Sequence, residues 1–112
     1  MSLTTSHIPP ANHVELSGRV SAEPETRVLP SGDQIVSFRL IVPRDAAARK
    51  RSRQRVDTIE CTAWTAALRR KVARLTPGAT VHVSGQLRCR FSRGAGGVVS
   101  RVAVDLKTCS PQ

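Results

Sequence analysis

The stretch "QIVSFRLIVPR", Gln34 to Arg44, alternates with a period of two: Val36, Phe38, Leu40 and Val42 fall on one side, Ser37, Arg39 and Ile41 on the other. Alternation of this kind predicts a half-buried strand, and Pro43, which has no N–H to give a ladder, stops it. "NHVELSGRV" repeats the pattern, with Val14, Leu16 and Val20 on one side and His13, Glu15 and Ser17 off it. "VVSRVAVDL" sets Val102, Val104 and Leu106 against Arg101, Ala103 and Asp105. "ATVHVSGQLRCRF" predicts a further strand, in which parity puts Phe91 with Leu87 and Cys89 on the core side, with a role for Phe91 outside the core left open. In "VDTIECTAW" the residues Asp57, Ile59, Cys61 and Ala63 point one way and Thr58, Glu60, Thr62 and Trp64 the other. The single tryptophan therefore lies on a polar face. Either another part of the protein covers it or it serves something outside.

The period changes once. Leu68, Val72 and Leu75 are spaced i, i+4, i+7 in "TAALRRKVARLTPG", and Pro77-Gly78 ends the pattern, which predicts a short amphipathic helix with Arg69, Arg70, Lys71 and Arg74 on its other face. Turn residues at Pro24 and at Pro30-Ser31-Gly32-Asp33 leave room only for a short strand around Thr26 to Leu29. Gly94, Gly96 and Gly97 mark a hairpin tip. "RDAAARKRSRQR", Arg44 to Arg55, holds six basic residues in twelve and has no apolar face, so it is expected as a long flexible loop. Residues 1–11 have no periodicity and are expected to form a flexible arm, with a folded domain over 12–108 and a short C-terminal end at 109–112. Strand, strand, strand, helix, strand, strand, with glycines placed to bend the first and fourth strands, is the order of the OB-fold. The expectation is an all-β, five-stranded barrel with one short helix between the third and fourth strands.

Composition sharpens this picture. Aromatic residues make up only 3% of the 112, so the core must come from Val, Leu, Ile and Ala. Eighteen Lys and Arg against 8 Asp and Glu give a net charge of +10, which favours a polyanionic partner, above all nucleic acid. Cys61, Cys89 and Cys109 are odd in number and show no short paired spacing, so neither a disulfide framework nor a metal site is expected. No secretory leader, membrane span or basic amphipathic anchor is apparent, so a cytoplasmic chain with no membrane partner is expected, and the basic charge adds the expectation of nucleoid association. His7, His13 and His82 are scattered, and Asp57 and Glu60 have opposite parities, so no catalytic set forms and no cofactor is implied.

"NHVELSGRVSAEPETRVLPSGDQIVSFRLIV", "DTIECTAW" followed by a helix ending in Pro-Gly, and "VHVSGQLRCR" together resemble the bacterial single-stranded DNA-binding proteins in order and spacing, over residues 12 to about 107. The resemblance implies sequence-independent binding and protection of single-stranded DNA in replication, recombination or repair. It also implies a homotetramer, with a dimer left open and pairing of the first strand across a two-fold axis. Members of that family stack bases on several aromatic rings. Here Trp64 stands at one such position, whereas Thr58 and Ala46 or a neighbour stand at two others, and on the fourth strand the match falls on Ser92 with Phe91 one place off. A chain short of rings can bind through cations that track the backbone. The expected set is Trp64 as main stacking ring, with Arg19, Arg39, Arg88 and Arg90 on strands and Arg49, Lys50, Arg51, Arg53 and Arg55 on the basic segment. Arginine suits the task because it grips phosphate with two N–H groups and can stack on a base. No acid follows Asp105, so recruitment of repair enzymes through an acidic tail is not implied. The alternatives are an OB-fold accessory or interaction subunit with little DNA binding, and an RNA-binding module.

Overall fold

A computed structural model describes residues 8–112. The expected arm over residues 1–11 lies mostly outside them. Six strands and two helices follow in the order β1 (Val14–Val20), β2 (Glu25–Val28), β3 (Gln34–Pro43), α1 (Ala46–Arg51), β4 (Val56–Ala63), α2 (Ala66–Ala73), β5 (Thr80–Gly94) and β6 (Gly97–Pro111).

The strands form one sheet in the order β1-β5-β6-β4-β3-β2, and a second pairing of β1 with β3 closes five of them into a ring. The ring is the expected OB-type barrel, and β2 is the short strand foreseen near Thr26, added as a hairpin outside it. Two glycines permit the closure. β1 pairs with β5 from Val14 to Arg19 and then reaches β3 through Arg19 and Val20. At the bend a Cβ on Gly18 would collide with the Ile41 carbonyl oxygen. β5 has its register shift between Ser84 and Gly85, where a Cβ on Gly85 would collide with the Asp105 carbonyl oxygen.

The interior follows the parity of the sequence. Val36, Phe38 and Leu40 of β3, Cys61 and Ala63 of β4, Val81 and Val83 of β5 and Val104, Leu106 and Cys109 of β6 are buried together with Val20. Helix α2 closes the core with Val72, flanked by the partly buried Leu68 and Leu75. Thr65 caps it, its hydroxyl accepting from the Leu68 N–H at 3.3 Å.

Three local expectations change. Part of the basic segment is helical rather than loop, because three alanines favour a helix and the Asp45 carboxylate caps it by accepting the Ala48 N–H at 2.8 Å. β6 runs on to Pro111 and buries Cys109. Phe91 has the parity foreseen but is 71% exposed, since the β5–β6 hairpin outruns the barrel and nothing covers its far half. Val102 shares that fate at 55% exposed, while Ala103 on the opposite face is buried. The hairpin turns where Gly97 takes φ 114°, a region open to glycine, which agrees with the glycine-marked tip.

Candidate nucleic-acid interface

One face of the sheet collects four of the ten expected residues, Arg39, Arg88, Arg90 and Trp64. In register across β3, β4, β6 and β5, Arg39 lies opposite Glu60, Glu60 beside Ala103, Ala103 opposite Arg88, and Arg101 opposite Arg90. Paired residues share a face, so Arg39, Arg101, Arg88 and Arg90 stand on the side away from the core, with Thr58, Thr62 and the half-buried Trp64. Parity had put Trp64 on this polar face, and the structure agrees.

The ring is partly wrapped. The Arg90 guanidinium lies over it, 5.3 Å from the ring centroid, within cation–π range. The indole N–H is buried and has no partner among the described residues. Arg90 is held in turn by Asp105, with Nη2 donating to Oδ2 at 2.9 Å and Nη1 to Oδ1 at 3.4 Å. Arg88 reaches the same carboxylate more loosely, at 3.7 Å, and donates to Gln86 Oε1 at 2.6 Å. Both arginine side chains are nearly half exposed, so the pairs contribute only ~0–1 kcal/mol and an incoming anion can displace them.

Beside this row, Arg39, Glu60 and Arg101 border a cleft of about 420 Å³ that reaches Arg27 on β2. Arg101 and Arg27 did not stand out in the sequence. Arg101 has the right parity against Val102 and Val104, but only the β4–β6 pairing shows that it faces Arg39. The carboxylates here limit the positive charge and give the face an alternating pattern.

The basic segment sits at the other end of β4 from Trp64. Eight residues separate Arg55 from Trp64, a span of ~30 Å at strand rise. Arg49, Lys50, Arg51, Arg53 and Arg55 are all exposed and line one concave surface of about 420 Å³. Its base is fixed: the Arg44 N–H donates to the Arg55 carbonyl at 2.8 Å, and the Arg44 side chain grips Asp57 through Nε at 3.0 Å and Nη2 at 2.8 Å. Hydrogen bonding from Arg44 lowers the Asp57 pKa below its ordinary value, and the same bond raises that of Arg44. Arg19 stands apart, exposed at the end of β1 where that strand meets both Ile41 and Thr80.

Opposite Arg88 and Arg90, the free half of the hairpin carries an apolar stripe made by Leu87 and Phe91 of β5 with Val98 and Val102 of β6. Phe91 is thus on the other face of the hairpin from Trp64. Among the described residues no three His, Cys, Asp or Glu side chains come together as a metal site, and no helix is long and apolar enough to cross a membrane.

Comparison with known proteins gives the same direction. A solved structure described as a Plasmodium falciparum SSB complex with ssDNA superposes with a TM-score of 0.78, covering 95% of this chain and 98% of that one at 20% identity, which supports the fold. The chain is 31% identical over 86 residues to the single-stranded DNA-binding protein of Bacillus cereus and to that of Bacillus anthracis. These matches cover 77% of this chain but about half of each relative. The Single-strand binding protein family matches residues 11–110, nearly the whole of the described fold, and the chain belongs to that family.

Proposed function

We propose that this chain binds single-stranded DNA with little dependence on base identity, as a binding protein and not an enzyme. The observation that carries the reading is the outer face that sets Arg39, Arg101, Arg88 and Arg90 beside Trp64, with the exposed basic segment around α1 at the other end of β4. A flexible strand can follow such a face, giving phosphates to arginines and one base to the ring, where stacking is worth ~1–3 kcal/mol. A duplex holds its bases inside and cannot reach Trp64. The match to relatives named single-stranded DNA-binding proteins supports the same partner. A role in DNA replication, recombination or repair in the cytoplasm belongs to the same proposal.

Assembly into a homo-oligomer belongs to this reading. The first five residues of β1 use only the edge that faces β5, which leaves a backbone edge open to a second copy. The Leu87, Phe91, Val98 and Val102 stripe adds apolar surface of the kind that association covers. Fluorescence anisotropy with a labelled oligo-dT, competed by unlabelled duplex and by RNA of the same length, tests the function. Single-stranded DNA should compete far better than duplex. Equal competition by duplex would reject the reading, and better competition by RNA would reassign it.

A further inference from the structure

Three strands meet at one carboxylate. Trp64 follows the end of β4, Asp105 lies on β6 beside Thr62 of β4, and Arg90 stands on β5, beyond β6. Arg90 reaches back across β6, takes Asp105 with both Nη atoms and covers the ring. Resting on the single-strand reading of this face, we propose that Asp105 is a positioning residue that parks Arg90 over Trp64, so that the ring opens to a base only when a phosphate takes Arg90 from Asp105.

A phosphate that takes the same edge of the fork displaces Asp105 from it. A guanidinium edge that serves one carboxylate with two N–H groups cannot give the same pair to a phosphate. Arg90 is the one so engaged, because Arg88 stays 3.7 Å from the acid and is occupied by Gln86. Asp105 stays put, since its side chain is only 19% exposed, while that of Arg90 is 49% exposed and within reach of solvent anions. Arg101 sits directly across from Arg90, a like-charge pair that favours departure of Arg90 once Asp105 no longer holds it. Among the described residues none accepts from the indole N–H, so no hydrogen bond from them fixes the ring.

Such a latch reads a polymer. A free nucleobase has no phosphate to draw Arg90 away, and a polyanion without bases uncovers the ring but leaves it empty. Only a chain carrying both completes the exchange.

Trp64 is the only tryptophan and the chain has no tyrosine, so its fluorescence reports this place alone. Acrylamide quenching is measured on the free protein and with an abasic deoxyribose-phosphate oligomer, for the wild type, Asp105→Asn and Arg90→Lys. Freeing the ring face under Arg90 raises the quenching constant of free D105N and R90K above that of the wild type. The abasic oligomer raises the wild type toward that level and leaves D105N unchanged. Loss of folding in D105N would show in circular dichroism, and R90K, which keeps the charge without the fork, then carries the comparison. Equal quenching of the free proteins, or an abasic oligomer that binds without changing wild-type quenching, overturns the proposal. Failure of the wild type to bind any single strand would reject the function while the free-protein comparison still decides whether Asp105 holds Arg90 in place.

Discussion

Arg44 and Asp57 lock the base of the basic segment with two parallel hydrogen bonds, Nε to Oδ2 at 3.0 Å and Nη2 to Oδ1 at 2.8 Å. The Arg44 bond lowers the Asp57 pKa below 3.8, so its contribution is present above 3.8 and is lost as pH falls through the lowered folded-state value. An NMR titration of the Asp57 carboxyl should give a midpoint below 3.8, and Asp57→Asn should speed tryptic cleavage between Arg44 and Arg55 at neutral pH. A midpoint at the ordinary value would mean that the pair does not persist in solution.

Gly18→Ala and Gly85→Ala test the closure of the barrel. Each would drive a methyl group into a backbone carbonyl, that of Ile41 or of Asp105, which no side-chain rotation relieves. Overpacking of this kind costs about 1–3 kcal/mol or more, and thermal melts should fall by several degrees for a domain of this size. Gly96→Ala at the open hairpin tip is the control, with nothing near its would-be Cβ, and should melt close to wild type.

The three thiols should separate by reactivity. Cys61 is fully buried, and burial, then the nearby Cys109 and Glu60, push its pKa up to about 12. Cys109 is buried and also raised, mainly by desolvation, whereas Cys89 is exposed on the hairpin. At pH 8 a thiol reagent should label one cysteine per folded chain, at Cys89, and three after unfolding. Rapid labelling of Cys61 or Cys109 in the folded protein would contradict the described core.

Much of this fold is legible in the sequence because a half-buried strand writes its period into the chain, as β3 does from Val36 to Val42. The face of Trp64 is legible for the same reason. Phe91 shows where the rule stops: parity tells which way a side chain points but not whether anything covers it, and β5 simply outruns the barrel. Helix α1 has no apolar face to announce it, although Asp45 before three alanines is a readable cap. The contact of Arg90 with Trp64 could not be read at all, since it depends on β6 pairing between two strands that are separate in sequence.

If cations track the strand, the basic segment should dominate the salt response and Trp64 the spectroscopic one. Replacing Arg49, Lys50, Arg51, Arg53 and Arg55 by glutamine should flatten the log–log salt slope by as much as ~3.5, at ~0.7 for each phosphate no longer neutralised. Trp64→Leu should leave the slope alone and weaken binding by about ten-fold, within the range of one base stack. A flattened slope in the tryptophan variant would assign the wrong roles to the two regions.

The most direct measurement is the affinity for oligo-dT across a salt series, beside a duplex of equal charge, with Trp64 fluorescence followed throughout. Arginine-led binding predicts tight capture of the single strand with quenching, weaker capture of duplex, and a log–log slope of about −4 if about six phosphates are neutralised. A slope near zero, or a duplex bound as tightly as the single strand, would contradict it.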